Sequence, residues 1–360
     1  MDSHRFNTLT IHGGQHPDPS TGAVMPPIYQ TSTYAQSAPG VHQGYEYSRT
    51  QNPTRHALER SLASIEGGTH AMAFGSGLAA VDAVLKLLQP GDEVISTSDL
   101  YGGTYRLFTK VYAGFGLKFH FSPMQDADAV RAMVTDRTRV LWVETPTNPM
   151  LNTIDIEAMA RIAVECGALL VVDNTFATPL NQRPLELGAD VSVQSATKYI
   201  GGHGDAMGGA VCGSKALLGP LRGEALVHYG GVISPFNAWL IMRGMATLPL
   251  RMRCHQQNAL ELARFLQDHD KIERVFYPGL ESHPQHDLAR TQMDNFSGML
   301  SFRCRDPKAL AQRMMQHLEV IHYAVSLGHH RSLIYLMQTE DLIGSSYRLD
   351  GDELDKYRDS

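Results

Sequence analysis

Short apolar runs alternate with helical patterns through the middle of the chain, from about residue 61 to residue 245. Such runs, bounded by turn residues, are typical of buried strands, and their alternation with helices predicts a three-layer α/β domain with a mainly parallel sheet. The predicted strands are 71–74, 93–96, 118–121, 139–144, 169–173 and 191–194, and a helix is predicted at 78–88. Ligands bind such sheets at the carboxyl ends of the strands, where Glu144, Asp173 and the segment 195–198 fall.

The pattern changes on both sides of this domain. Residues 1–60 are rich in Pro, Gly, Thr, Tyr and Gln and lack sustained periodicity, which is typical of an arm that wraps a partner. A helical pattern at 235–269, interrupted near Pro249, leads into a smaller C-terminal α/β domain. Its predicted elements are strands at 275–277, 299–302 and 320–324 and a helix at 307–317. We therefore divide the chain into an arm at 1–60, a large domain at 61–245 and a small domain at 246–360.

Composition narrows the class of protein without identifying it. A chain of 360 residues with 43% hydrophobic content can bury a large core in about two domains. The formal net charge of −6 argues against a nucleic-acid surface. No apolar run approaches the roughly 18 residues that a membrane helix needs, and the first residues are polar. We expect a globular, cytoplasmic protein that binds neither nucleic acid nor membranes.

Cysteine and histidine spacing gives no sign of a metal site or a disulfide framework. The cysteines are scattered, and we expect all four to be reduced, buried thiols. They are Cys166, Cys212, Cys254 and Cys304. The 17 histidines include no helical metal-binding pair, so no metal is predicted. His203, His329 and His330 stand out because they lie near candidate site residues in the sequence.

A lysine and a carboxylate suggest pyridoxal phosphate chemistry. This cofactor needs an amine that forms an imine, a carboxylate on the ring nitrogen, donors for the phosphate and a flat group against the ring. Lys198 supplies the amine, and Asp173 supplies the carboxylate at the end of a buried strand. Ser195 and Thr197 alternate along an extended segment, so both hydroxyls face one side and suit a phosphate. The turn 75–77 offers backbone amides to an anion, although alone such a turn is more often only structural.

The chain resembles a known family at these positions and at others along its length. The matching segments are 26–29, 47–49, 52–54, 100–104, 144–149, 172–175, 195–198 and 277–280. They are similar to the pyridoxal-phosphate enzymes of cysteine and methionine metabolism, which include cystathionine γ-lyase, methionine γ-lyase and cystathionine γ-synthase. The resemblance is closest to cystathionine γ-lyase. It implies a fold type I transferase architecture like that of aspartate aminotransferase, with pyridoxal 5'-phosphate as cofactor.

The resemblance also implies roles for individual residues. Lys198 corresponds to the lysine that forms the imine, Asp173 to the partner of the ring nitrogen, and Tyr101 to a tyrosine that stacks on the ring and assists proton transfer at the leaving group. The implied phosphate ligands are Gly77, Leu78, Ser195 and Thr197. Tyr47 and Arg49 correspond to a pair that reaches the phosphate of a neighbouring subunit. This implies active sites shared within dimers and a homotetramer built from those dimers.

The substrate side of the site departs from the family. The resemblance places Asn148 and Ser326 near the substrate carboxylate and the cofactor's ring oxygen. After Ser326, His329 and His330 follow where most relatives have a second glycine and a different loop. The family's final Arg-Leu-Ser-Val-Gly segment, whose arginine usually binds the substrate carboxylate, is absent, and Arg348 resembles that arginine only superficially. We expect either that the chain stops before this segment or that another residue binds the carboxylate.

The residues that choose the reaction point in different directions. Gly103 resembles the cystathionine enzymes, whereas Val325 resembles methionine γ-lyases, because cystathionine γ-lyases and γ-synthases usually have glutamate there. Arg106 suits an acidic distal group, or is a plain surface arginine. We favour α,γ-elimination of the sulfur amino acid L-cystathionine to L-cysteine, 2-oxobutyrate and ammonia. The alternatives are methionine γ-lyase releasing methanethiol, a γ-replacement enzyme (cystathionine γ-synthase or a homoserine-ester sulfhydrylase) and a catalytically silent binding protein.

Overall fold

A seven-stranded, mostly parallel sheet forms the centre of the structure, a computed structural model that describes residues 6–337. The strands are β1 His70–Phe74, β2 Glu93–Thr97, β3 Lys118–Ser122, β4 Thr138–Glu144, β5 Leu169–Asp173, β6 Val191–Gln194 and β7 Gly209–Gly213. They lie in the order β1-β7-β6-β5-β4-β2-β3, and β7 runs antiparallel to both of its neighbours. The α/β fold class, the mainly parallel sheet and the six predicted strands are therefore confirmed.

The strand β7 is absent from the sequence-based prediction. Its sequence, Gly-Ala-Val-Cys-Gly, is short, has glycine at both ends and offers little of the β-branched and aromatic content that marks strands. Close backbone packing explains the glycines, because a Cβ on Gly209 would overlap the backbone of Ser76 and one on Gly213 would lie 2.8 Å from Asp190 O. The sequence of β7 is therefore set by how closely other backbone segments approach it.

Both faces of the sheet are buried. Along β4, Val140 and Trp142 pack into one hydrophobic cluster, and Leu141 and Val143 pack into another. Successive side chains of a strand point to opposite faces, so the sheet lies between two apolar layers. This arrangement explains why the strands read as nearly continuous apolar runs in the sequence.

Helices supply those two layers and most of the C-terminal region. The α-helices are α1 Phe6–His12, α2 Pro53–Glu66, α3 Gly77–Leu85, α4 Gly102–Arg106, α5 Ala127–Met133, α6 Ile156–Cys166, α7 Thr178–Asn181, α8 Lys215–Leu221, α9 Pro235–Met245, α10 Leu248–Gln267, α11 His286–Gln292 and α12 Pro307–His317. Short 3-10 or π turns lie at Leu107–Val111, Tyr112–Phe115, Pro184–Leu187 and Arg222–His228. The predicted helices at 78–88 and 307–317 correspond to α3 and α12.

The helix α2 begins inside the segment that was expected to form an irregular arm. Asn52 caps it, because the Asn52 side chain accepts hydrogen bonds from Thr54 N at 2.9 Å and from Arg55 N at 3.2 Å. Pro53 at the first helical position has a backbone already set for a helix. The irregular part of the N-terminal region therefore ends at Asn52, and α1 is a further regular element within it.

The C-terminal region follows the prediction in its helices and only partly in its strands. The long helical pattern at 235–269 is divided into α9 and α10, which meet just before Pro249. Beyond α10, β8 Ile272–Phe276 pairs antiparallel with β9 Ser301–Cys304. The predicted strand at 320–324 is reduced to β10 His322–Tyr323, because only these two residues pair, with β11 Leu333–Ile334.

The cysteines do not share one environment. Cys212 is buried, Cys254 is exposed, and Cys166 and Cys304 are half-buried, so the expectation of four buried thiols is wrong for three of them. The physical reason for Cys254 is its place on the solvent-facing side of α10. Among residues 6–337 no disulfide forms, and no cluster of three His, Cys, Asp or Glu side chains is placed to hold a metal ion. Nor does any helix in that range have the length and apolar character needed to cross a bilayer.

Candidate active site

Lys198 lies in a tight turn directly after β6, at the carboxyl edge of the sheet. Lys198 N donates a hydrogen bond to Ser195 O at 3.0 Å, which closes the turn. The side chain is half-buried, and its Nζ lies 3.5 Å from Ser326 Oγ. Burial lowers the pKa of Lys198, and no carboxylate of the described residues forms an ion pair with it. The turn therefore presents an amine that gives up its proton more readily than an exposed lysine does.

Arg251, on α10, holds the end of the same turn. Its guanidinium donates to Tyr199 O at 2.7 Å and to Gly244 O at 2.9 Å. Gly202 follows in a left-handed conformation with φ +68°, and a Cβ there would overlap the guanidinium. Burial lowers the pKa of Arg251 to about 10. The half-buried arginine therefore fixes the backbone just after Lys198 by donating to carbonyl oxygens, which position its cation without neutralising it.

Two buried carboxylates end adjacent strands at this edge of the sheet. Glu144 and Asp173 are register partners on β4 and β5 and are only 4% and 8% exposed. Asp173 accepts a hydrogen bond from Thr175 N at 3.0 Å, and burial raises its pKa. Burial, followed by the charge of Asp173, raises the pKa of Glu144 well above its usual range. Two such groups do not both stay ionised without a cation beside them, so this edge suits a positively charged ring.

Tyr101 is held at the mouth of the site through its backbone. Glu144 Oε2 accepts a hydrogen bond from Tyr101 N at 2.7 Å. The Tyr101 side chain is 42% exposed and lies against Gly103, where a Cβ would overlap the tyrosine ring. The glycine at position 103 therefore leaves the space that the ring occupies.

The helix α3 begins in contact with the turn that carries Lys198. Ser76 caps α3 by accepting a hydrogen bond from Ala79 N at 3.1 Å. A Cβ on Gly77 would lie 2.8 Å from the side chain of Ser195, so these two predicted phosphate ligands are direct neighbours. The first amides of a helix have no acceptor within the helix, and together with a hydroxyl they make a suitable place for an anion.

The other two predicted phosphate ligands are placed less simply. Leu78, the second residue of α3, has a side chain that is 37% exposed, so its contribution to an anion site would come from its backbone amide. The Thr197 hydroxyl donates to Gly208 O at 3.1 Å and accepts from Gly208 N at 3.0 Å. To donate to a phosphate, the hydroxyl would give up its bond to Gly208 O.

Tyr47 and Arg49 form a pair of their own on the surface of the chain. The Arg49 guanidinium lies 5.4 Å from the centre of the Tyr47 ring and donates a hydrogen bond to Val227 O. Both side chains are exposed and line a cavity of about 280 Å³ together with the loop at 232–235. Within the described chain, no hydrogen bond or ion pair joins either residue to Lys198. Their predicted role at a phosphate depends on a second subunit.

The substrate-side candidates have different settings. Ser326 is the one that the structure brings next to the lysine. Its neighbour Val325 is 73% exposed. Asn148 follows β4, and its backbone N–H donates a hydrogen bond to Asp99 O, in the loop after β2, at 3.4 Å. Arg106 ends α4, the short helix that begins beside Tyr101. Arg348 lies outside the described residues, so the structure gives no information on it.

The sequence analysis placed Glu144 at the ligand-binding edge of the sheet without giving it a chemical role, and it did not mention Arg251. Glu144 lies at a predicted strand end, which is a signal for the site, but its bond to Tyr101 N depends on how a distant loop folds. Arg251 gives no signal at all, because an arginine on an amphipathic helix is usually an exposed charge. Its burial is a result of tertiary packing and is visible only in the structure.

Comparisons with known proteins identify the family. Residues 7–346 match the family described as Cys/Met metabolism PLP-dependent enzyme. The chain is 49% identical over 331 residues to cystathionine beta-lyase of Coxiella burnetii, an alignment that covers 91% of this chain and 86% of that protein. It is 51% identical over 310 residues to a probable cystathionine gamma-synthase of Herpetosiphon aurantiacus, covering 86% and 97%. The structure of cystathionine gamma-lyase from Lactobacillus plantarum, complexed with L-serine, aligns with a TM-score of 0.91 and 39% identity, covering 99% and 91%.

The fold and the site thus define a PLP-dependent enzyme. The chain belongs to the PLP-dependent enzymes of cysteine and methionine metabolism, which act on small amino acids. Its residues fit the cofactor: Asp173 is a buried carboxyl group of raised pKa that a cation beside it would keep ionised, Lys198 is an amine of lowered pKa, and the missing Cβ of Gly77 leaves room beside Ser195. The relatives include a cystathionine beta-lyase, and β-elimination is not among the reactions that the sequence suggested. Membership of the family leaves open which lyase or synthase reaction the chain catalyses.

Proposed function

We propose that the chain catalyses the α,γ-elimination of L-cystathionine to L-cysteine, 2-oxobutyrate and ammonia. The observation that carries this proposal is the contact between Tyr101 and Gly103, because the missing Cβ lets the tyrosine ring lie at the mouth of the site. By resemblance, glycine at this position is typical of the cystathionine enzymes, whereas methionine γ-lyases have cysteine there. Val325 favours the alternative, methionine γ-lyase. By resemblance, cystathionine γ-lyases and γ-synthases usually have glutamate at this position, and valine leaves the mouth of the site without that carboxylate.

The residues of the site have the following roles in this reaction. Pyridoxal phosphate, when bound, supplies the electron sink for the charge left when a proton leaves the substrate. Lys198 Nζ takes the proton from Cα, because burial lowers its pKa and Ser326 Oγ holds it in place. Asp173 keeps the ring nitrogen protonated. A proton must also leave Cβ before the Cγ–S bond breaks. As that bond breaks, the Tyr101 hydroxyl gives a proton to the sulfur, which departs as the thiol of cysteine, and one water is consumed in releasing 2-oxobutyrate and ammonia.

The identity of the products tests this proposal. The purified holoenzyme is incubated with L-cystathionine, and 2-oxobutyrate and cysteine are assayed beside pyruvate and homocysteine. We expect 2-oxobutyrate with cysteine, formed faster than 2-oxobutyrate from L-methionine under the same conditions. Pyruvate with homocysteine would replace the proposal with β-elimination. Formation of cystathionine from a homoserine ester and cysteine, with little keto acid, would replace it with γ-replacement.

Gly103→Ala is expected to lower kcat/KM for L-cystathionine about 10- to 100-fold, since a misplacement of about 1 Å near the reacting atoms costs on this order. The reason is that the added methyl group occupies the position of the Tyr101 ring. Gly114→Ala is the matched control, because a Cβ on Gly114 meets no atom within 4 Å. Steady-state kinetics of both variants check the prediction, and an unchanged kcat/KM in Gly103→Ala would remove the observation on which the proposed function rests.

We further propose a cytoplasmic homotetramer built from dimers that share their active sites through Tyr47 and Arg49. Mixing inactive Lys198→Ala chains with Arg49→Ala chains is expected to restore activity, because a mixed dimer holds one site with both residues intact. With random exchange of subunits, about a quarter of the wild-type activity should return. Differently tagged chains show whether exchange has occurred. Complete exchange without recovery of activity would mean that Arg49 serves its own subunit.

A further inference from the structure

The loop that follows Ser326 packs directly on the turn that carries Lys198. Gly328 has φ +80°, and a Cβ there would overlap Tyr199 N and Lys198 C, so the loop backbone touches the backbone of the lysine turn. This close approach requires glycine, both for its conformation and for its lack of a side chain. The loop therefore carries whatever follows Gly328 to the mouth of the active site.

Three imidazole rings gather where this loop meets the lysine turn. The centre of the His330 ring lies 5.8 Å from that of His203 and 6.1 Å from that of His329. The His329 ring also lies 3.3 Å from the position of a Cβ on Gly204. Burial, followed by the positive charges around it, lowers the pKa of His329, and Lys198 is one of those charges. His329 is therefore neutral at pH 7 and lies within electrostatic reach of the reactive amine.

Backbone contacts fix the tautomers of two of these rings in opposite senses. His203 Nδ1 lies 2.8 Å from Gly201 O, which can only accept, so in the neutral ring Nδ1 carries the proton and Nε2 keeps a lone pair. His329 Nδ1 accepts a hydrogen bond from Arg331 N at 3.1 Å, so in the neutral ring Nε2 carries the proton. Among the described residues, nothing hydrogen-bonds to either Nε2. One ring thus presents an acceptor and the other a donor.

His203 and His329 both lie next to His330, and an acceptor on one with a donor on the other matches a group that carries both an ammonium and a carboxylate. The leaving group of a simple methyl thioether has neither, so it gains nothing from these rings. In cystathionine the leaving group is itself an amino acid, with an ammonium that His203 Nε2 would accept from and a carboxylate that His329 Nε2–H would donate to. The exposed Val325 beside Ser326 offers no charge for that ammonium, which leaves the imidazoles to bind it.

We propose that His203 and His329 bind the amino-acid part of the leaving group, so that the site selects thioether substrates whose leaving group carries its own α-ammonium and α-carboxylate. This inference rests on the proposed function and names the residues that give it specificity. These histidines act on substrate choice and take no part in the proton transfers assigned to Lys198 and Tyr101.

Asparagine substitutions test the role of Nε2 in each ring separately from the role of Nδ1. An Asn side chain places a polar atom near the position of Nδ1, so His203→Asn keeps a donor for Gly201 O and His329→Asn keeps an acceptor for Arg331 N, while both remove Nε2. Each variant is expected to lower kcat/KM for L-cystathionine about tenfold or more, the usual effect of losing a hydrogen bond to a charged group, and to change kcat/KM for L-methionine less than about twofold. Gln at the same positions, which reaches as far as Nε2, should restore part of the loss.

His317→Asn, at the exposed end of α12, is the control for a histidine outside the cluster. A second measurement does not require elimination. Binding of L-cystathionine and of L-methionine to each holoenzyme is followed by the change in cofactor absorbance, and the ratio of the two affinities reports the same preference for cystathionine. A wild-type enzyme that binds cystathionine but releases no 2-oxobutyrate would overturn the proposed function and leave this ratio as the test of the histidines. An equal loss for both amino acids, or no loss for either, in His203→Asn and His329→Asn would overturn the inference.

Discussion

Replacing Lys198 with alanine is expected to lower kcat for keto-acid release by at least about 1,000-fold, because in the proposed reaction one side chain serves as both the nucleophile that holds the cofactor and the base that takes the Cα proton. The structure supports both uses, since the amine is half-buried, has a lowered pKa and has only the Ser326 hydroxyl as a near polar partner among the described residues. Single-turnover and steady-state assays with L-cystathionine measure the loss.

The control for this substitution is Lys110→Ala, which removes an exposed lysine on the turn Leu107–Val111 and should leave kcat within about twofold of the wild type, as surface changes usually do. A second measurement does not depend on turnover. Borohydride should fix pyridoxal on the wild-type chain and on Lys110→Ala but not on Lys198→Ala. Full activity in Lys198→Ala, or labelling at another lysine, would show that the amine has been assigned to the wrong residue.

Asp173→Asn should cost about 100-fold or more in kcat, in line with the loss of a preorganised charge in a buried site. The amide has the shape of the carboxylate and keeps an oxygen for Thr175 N, so the fold should survive, but a neutral group does not hold a ring nitrogen protonated. The same change should weaken cofactor binding, because the buried cation loses its partner. Equilibrium dialysis of the cofactor and steady-state kinetics check the two effects separately.

Glu144→Gln gives the informative comparison, because Glu144 is the register partner of Asp173 and is buried to the same degree. Burial and the charge of Asp173 raise the pKa of Glu144, which favours the neutral acid, and glutamine keeps an oxygen for Tyr101 N. We therefore expect a loss of less than about tenfold, as for one altered neutral hydrogen bond. If the two substitutions had equal effects, the charge would not be confined to Asp173.

The sequence predicts the large sheet well for a physical reason. Each parallel strand is buried on both faces, as Val140 to Val143 show on β4, so each strand appears in the sequence as an unbroken apolar run. The lysine and the aspartate could be placed at the same edge because both follow such runs directly. The reaction class came from the order of many short motifs along the chain, since each motif alone has a structural explanation.

Other features depend on contacts between distant segments, which a single sequence does not display. The strand β7 is glycine-rich because Ser76 packs on it, and the helix α2 starts early because Asn52 caps it. The tautomers of His203 and His329 are set by backbone groups of their own loops, but the two rings come near each other only because the loop after Ser326 packs on the lysine turn. None of these contacts has a local pattern that marks it in advance.

Arg251 has a consequence for motion. It belongs to α10, the helix that leads to β8 and packs against it. Its guanidinium nevertheless donates a hydrogen bond to Tyr199 O, on the residue after Lys198. A sliding of α10 by about 1 Å would lengthen that 2.7 Å hydrogen bond beyond useful range unless the turn moved as well. The C-terminal strands and Lys198 are therefore mechanically coupled: a displacement of α10, by a substrate or by a neighbouring subunit, would also displace the amine that we propose as the base.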